Sequence, residues 1–143
     1  MGLWNFVKNA GKKLVGGVEA APAPDALLEE VKGLGLDTSG LDISVDGDTV
    51  KVAGSAVSQE IKEKVILAVG NIDGVAAVDD NVKGSDPVFH TVEKGDSLWA
   101  ISSKTLGDGN RYREIFEANK PMLSHPDKIY PGQVLRIPQS SEA

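Results

Sequence analysis

The side chains able to do chemistry are few and scattered. Histidine occurs only at positions 90 and 125, with no second ligand at the short spacing that a zinc site uses. Both are expected at the surface. Cysteine is absent, which removes thiolate metal sites, disulfides and a Cys nucleophile. Serines are many, but none sits in the strained Gly-x-Ser-x-Gly elbow that exposes a nucleophile. Asp42, Ser44, Asp46 and Gly47 carry the opening of a calcium loop. Its twelfth position falls on Ala53, where a bidentate Glu is required, and a hairpin turn accounts for the same residues. Asp79 and Asp80 are expected at a solvated strand end, and Trp99 in a core rather than as a platform for sugar. No catalytic residue emerges, and an enzyme is not expected.

Composition narrows the classes further. The 143 residues suffice for one ordinary domain or two small ones. A hydrophobic fraction of 41% with 25% charged residues is that of a globular chain. The net charge of −6 argues against a nucleic-acid partner, whose phosphates demand clustered Lys and Arg. No apolar run approaches the 18 or so residues of a membrane span. The charge is uneven. Residues 1–24 carry net +2, residues 25–86 hold thirteen acids against five bases, and residues 87–143 balance. That division suggests three parts.

In the first part, Leu3, Trp4, Phe6, Val7, Ala10, Leu14, Val15 and Val18 recur near helical spacing, with Lys8, Lys12 and Lys13 opposite. An amphipathic helical segment is expected, stopped at Gly11 or at Gly16-Gly17. A secretory signal has its basic residues before a continuous apolar run. Here the order is reversed, so a cytoplasmic location is expected. Glu19 to Pro24 reads as a linker.

The middle part opens with Asp25 as a helix cap before Leu27, Leu28, Val31 and Leu34. Ile43 and Val45, a turn at Asp46-Gly47-Asp48, then Val50 and Val52 make a β-hairpin. Ser58 starts a second helix with Ile61, Val65, Ile66, Ala68 and Val69 inward. Asn71 to Gly74 breaks it, and residues 75–82 read as a closing strand. The order α-β-β-α-β places two helices on one face of a three-stranded sheet. After a break at residues 85–88, Phe89 to Val92 alternates as a strand. Leu98 and Ile101 mark a helix, and Asn110 would cap another carrying Tyr112, Ile115 and Phe116. Pro121 and Pro126 forbid regular structure before a last strand at residues 134–137. The fold class is therefore α+β: a helical segment and linker at 1–24, a first domain at 25–84, a second at 89–138 and a tail at 139–143.

Two resemblances follow from these residues. Thr49 to Gly54 on a strand, with Gly74-Val75 to Asn81-Val82 closing, looks like a BON domain over roughly residues 25–84. Lys94-Gly95-Asp96-Ser97-Leu98-Trp99-Ala100-Ile101, Ile115 to Asn119 and Ile129 to Pro138 resemble a LysM domain over residues 89–138. The BON likeness implies a binding module without catalytic residues. The LysM likeness implies recognition of N-acetylglucosamine-containing glycans such as peptidoglycan, in a groove that by position implicates Gly95, Asp96, Ser97, Leu98, Asn119, Met122, Leu123 and Ile129. A protein partner of this domain is left open, and a monomer is expected.

Together the two domains resemble the BON–LysM family of bacterial cytoplasmic potassium-binding proteins. That resemblance implies selective binding of K+, with Rb+ and Cs+ as related ions, and a conformational response: a sensor or buffer. The alternative is a glycan-binding envelope protein. Potassium is large and singly charged, and neutral carbonyl oxygens match it best. A dense carboxylate cage would favour calcium or magnesium. Helix C-termini leave carbonyls without partners and carry partial negative charge. A leading helix ending near Gly11 would offer the carbonyls of Val7, Ala10 and Lys12. The second BON helix ends at Gly70, and alternate carbonyls of an extended stretch select Gly70, Ile72 and Gly74. These six are the candidate K+ ligands.

Overall fold

The structure is a computed structural model and describes residues 2–6, 23–72, 74–85, 87–120 and 122–138. The chain divides between residues 86 and 87 into two compact units.

In the first unit a four-stranded sheet runs in the order β1-β4-β3-β2. Its strands are β1 (Gly2–Asn5), β2 (Leu41–Asp46), β3 (Thr49–Gly54) and β4 (Ala77–Val82). The expected hairpin is β2–β3, in register from Leu41 opposite Gly54 to Asp46 opposite Thr49. Its two-residue loop needs a positive φ at the first position, and Gly47 supplies it at 64°. Helix α2 (Gln59–Gly70) then carries the chain across to β4, which pairs parallel to β3. Ser58 caps α2 as the sequence suggests, its hydroxyl accepting the Ile61 N–H at 3.1 Å. Helix α1 (Pro24–Gly33) packs on α2 and β2. Its N-cap is Ala23 with no side-chain bond, and Pro24 takes the first helical position, which needs no N–H. Asp25 therefore lies inside the first turn rather than capping it. Val50, Val52, Val78 and Val82 from the sheet close over Leu27, Val31, Val65, Ile66 and Val69 from the helices, all buried. Burying these side chains contributes roughly 1.5–3 kcal/mol each.

The main departure is at the start of the chain. Residues 2–5 form a strand, not a helix, antiparallel to β4 with Leu3 opposite Asp79 and Trp4 opposite Val78. Exposure alternates along it: Leu3 is 60% exposed, Trp4 half-buried, Asn5 exposed and Phe6 buried. A helix would have required Leu3 to share the buried face. The free edge of β4 offers backbone partners that a short isolated helix lacks. Trp4, Val78, Val50 and Val45 thus fall in one register column on the helix-facing side.

The second unit has strands β5 (Phe89–Thr91) and β6 (Val134–Arg136), paired antiparallel, with helices α3 (Leu98–Leu106) and α4 (Tyr112–Ala118) between them. Val92, Leu98, Ile101, Ile115, Leu123, Leu135 and Ile137 form its core. A single 3-10 turn, Gly109–Arg111, precedes α4, and its cap is the Asp108 carboxylate, which accepts the Asn110 N–H at 2.9 Å. The capping expected of Asn110 falls one turn earlier.

Candidate functional site

The C-terminal end of α2 and the end of β1 meet at one place. Gly70 is the last residue of α2 and is buried. A Cβ built on it would overlap the ring of Phe6. Glycine is required here by close approach, not by an unusual φ. Phe6 is held there by the sheet, its N–H donating to the Ala76 carbonyl at 2.9 Å. Ala76 donates in turn to the Asp48 carbonyl at 2.8 Å. Extension of the β1–β4 pairing therefore brings Phe6 to the C-terminal end of α2.

That loop is a turn rather than the extended stretch expected. Asn71 is the C-cap of α2, with φ −82° and ψ 38°, and its N–H returns to the Leu67 carbonyl. Ile72 has its carbonyl engaged by the Val75 N–H at 3.1 Å, which leaves one lone pair. Among the described residues no loop N–H donates to the Gly70 or Gly74 carbonyl. Gly70, Ile72 and Gly74 are all buried, where polar groups need partners. Gly70 closes α2, where the helix dipole is negative, and main-chain oxygens at such an end offer a cation neutral ligands. Val7, Ala10 and Lys12 lie outside the described residues. Among the described residues no three His, Asp or Glu side chains come together as a metal site.

Asp80 is not solvated, contrary to expectation. Its carboxylate is fully buried on the helix-facing side of β4, 3.6 Å from Lys62 Nζ of α2. Nothing local in the sequence betrays this, because the partner sits eighteen positions away on another element.

The glycan candidates separate into two groups. Leu98 and Leu123 are core residues. Asn119 is buried too, and its side chain donates to the Ile115 and Arg136 carbonyls (2.7 and 2.9 Å) and accepts the Arg136 N–H at 2.7 Å. It ties α4 to β6 and has no free atom for a ligand. Gly95 makes a turn with φ 89°. Met122 and Ile129 are half-buried. Asp96 accepts the Glu93 N–H at 3.0 Å and lies 3.2 Å from His90 Nε2. Those two contacts, the Glu93 N–H first, hold its carboxyl below the usual carboxylate range. His90 is thus a partner in a turn, not a plain surface residue. Ser97 caps α3, accepting the Ala100 N–H at 3.1 Å.

Of the eight, only Ser97 and Leu98 line an open groove of about 370 Å³, completed by Trp99, Tyr112, Pro126 and Asp127. Trp99 is 55% exposed, so it does not belong to the core. Its face lies over Gly109, where a Cβ would overlap the indole. Helical spacing held this signal. Leu98 and Ile101, three apart, define the inner face of α3, and position 99 stands about 100° off it.

A BON domain model matches residues 25–85 and a LysM domain model matches residues 90–138. The chain is 49% identical to the potassium binding protein Kbp of Escherichia coli O6:H1, over 97% of this chain and 99% of that one. An uncharacterized protein of Deinococcus radiodurans is 32% identical over 79% of this chain and 50% of its own length. Protein YqbP of Bacillus subtilis is 39% identical over 38% of this chain and 29% of its own.

Proposed function

Because the chain belongs to the family of the potassium binding protein Kbp, a BON domain followed by a LysM domain, we propose that it binds potassium as a cytoplasmic sensor or buffer. It works by binding, without a catalytic step. The ion sits at the C-terminal end of α2, held by the main-chain oxygens of Gly70, Ile72 and Gly74, with Val7, Ala10 and Lys12 supplying oxygens from the leading segment. Rb+ and Cs+, of similar size and charge, bind the same oxygens. Occupation ties the leading segment to the loop, and loss of the ion frees it.

One observation carries this reading. The Phe6 ring covers Gly70, so the chain is delivered to the carbonyl end of α2 one residue before Val7. Neutral carbonyls suit a weakly hydrated monovalent ion, and the −8 charge of residues 25–86 adds diffuse attraction without ligation. Calorimetry with KCl, RbCl, CsCl, NaCl and CaCl2 tests it. Heats for the three large ions but not for sodium or calcium are expected, and equal or absent heats for potassium and sodium reject it. Cell fractionation tests the location, and recovery in the envelope rejects that part.

The exposed Trp99 beside Tyr112 favours a second reading, in which the LysM groove holds a glycan against aromatic faces. Co-sedimentation with purified peptidoglycan decides it. Binding that survives Trp99→Ala removes Trp99 from that role.

A further inference from the structure

At the opposite end of α2, two side chains fasten the chain as it leaves β4. Gln59 Nε2 donates to the Ser85 carbonyl at 2.9 Å, and Gln59 Oε1 accepts the Ser85 N–H at 3.0 Å. One amide side chain thereby pairs with both backbone groups of one residue, as a neighbouring strand would. Lys62 Nζ donates to the same carbonyl at 2.8 Å. Gly84, at φ 132°, leaves open the space that Gln59 Oε1 fills. Lys62 and Asp80 are both wholly buried. Asp80 Oδ1 accepts the Val82 N–H at 3.0 Å, while Oδ2 takes no hydrogen bond among the described residues.

This pair is a poor way to hold a helix on a sheet. At 3.6 Å it lies beyond hydrogen-bond length, and both ions have lost their water. Well-packed apolar side chains would serve stability as well or better. What apolar residues could not supply is a charged donor aimed at the Ser85 carbonyl. Asp80, 3.6 Å away, supplies the countercharge for that buried ammonium. Ser85 stands just before the boundary between the two units.

We propose that Gln59 and Lys62 form a latch that fixes the connector to α2, and that potassium at the far end of the same helix tightens it. The second half rests on the potassium reading above. The twelve residues of α2 span about 18 Å. Helix formation is cooperative, so an ion bound at the carbonyl end of α2 favours the whole helix, including the first turns where the latch residues stand. Linkage makes the effect reciprocal: closure of the latch raises ion affinity by the same factor.

Amide hydrogen exchange at Ser85 reads the latch directly. The full chain is compared with Gln59→Ala and with Lys62→Met/Asp80→Asn, in NaCl and in KCl, with calorimetry alongside. The Asn in the double variant keeps an acceptor for the Val82 N–H. Exchange at Ser85 should quicken roughly two- to tenfold in Gln59→Ala, the equivalent of one net hydrogen bond. In the double variant it should quicken too while thermal stability stays level or rises, an outcome that a merely structural pair would not give. KCl should slow Ser85 in the unaltered chain and not in Gln59→Ala. Equal exchange in the unaltered chain and Gln59→Ala overturns the latch. A calorimetric potassium heat without any change at Ser85 overturns the coupling alone. Absence of that heat overturns the potassium reading and the coupling with it, while the Gln59→Ala comparison in NaCl still judges the latch.

Discussion

Replacing Gly70 by alanine should report directly on the junction between β1 and α2. The added methyl group meets the Phe6 ring, which is 7% exposed and has no open side to retreat into. Overpacking of this kind costs about 1–3 kcal/mol. Against this, alanine outdoes glycine in a helix by about 0.5–1 kcal/mol, so the net loss is about 0–2.5 kcal/mol. Each kcal/mol lowers the midpoint by about 4–8 °C for a unit of this size. The contrast lies in the background. Phe6→Ala alone removes a buried ring and costs about 3–5 kcal/mol. With the ring gone, Gly70→Ala should be neutral or mildly stabilising. Urea unfolding followed by amide cross-peaks of residues 41–82 measures the four corners of this cycle. Coupling of about 1–3 kcal/mol is expected. If the two losses simply add to within about 0.5 kcal/mol, the ring does not rest on Gly70, and the packing of Phe6 on the end of α2 is refuted. Because alanine keeps the main-chain carbonyl, the cycle also separates packing from ion ligation.

Three other perturbations have definite outcomes. Lys62→Met alone strands the Asp80 carboxylate in the core and should cost about 3–5 kcal/mol in urea unfolding, all of it recovered by adding Asp80→Asn. Asn119→Ala removes the side chain that bonds the Arg136 N–H and carbonyl and should cost about 1–3 kcal/mol, read as a lower melting temperature of the second unit. Asp96 is held below its ordinary range, chiefly by the Glu93 N–H and then by His90. The unfolded chain therefore binds more protons, and the stabilisation is complete above the ordinary carboxylate pKa of about 3.9 and lost as pH falls through the lower folded value. Asp96→Ala should lower the melting temperature at neutral pH, with the gap to the unaltered chain closing in acid.

The hairpin, both helices of the first unit and the two strands of the second were legible because each carries its own local signal. Alternation at Ile43, Val45, Val50 and Val52 and the Ser58 cap needed no tertiary context. Strand β1 was not legible for the opposite reason. Leu3, Trp4 and Phe6 satisfy helical and alternating patterns alike over so few residues, and only the open edge of β4 decides between them. The candidate site was half legible. Gly70 and Gly74 mark the end of α2 in any reading. That the intervening backbone turns, engaging the Ile72 carbonyl with Val75, depends on the packing of the loop. The burial of Asp80 is not legible because charge alone argues for water, and its countercharge comes from a helix that sequence order cannot orient. Resemblance by position points Met122, Leu123 and Asn119 to a groove, whereas burial assigns Leu123 and Asn119 to the interior.

The arrangement of β1 bears on how copies of the chain behave when crowded. Its four residues are all that separate β4 from an open margin. The chain's own β1 has the advantage of its tether, but at high protein concentration a bare margin would take the same four residues from a second molecule and give a strand-swapped dimer. A bulky fusion placed ahead of Gly2 would hinder the return of β1 and favour such entangled pairs, so an affinity handle is better attached at the opposite terminus.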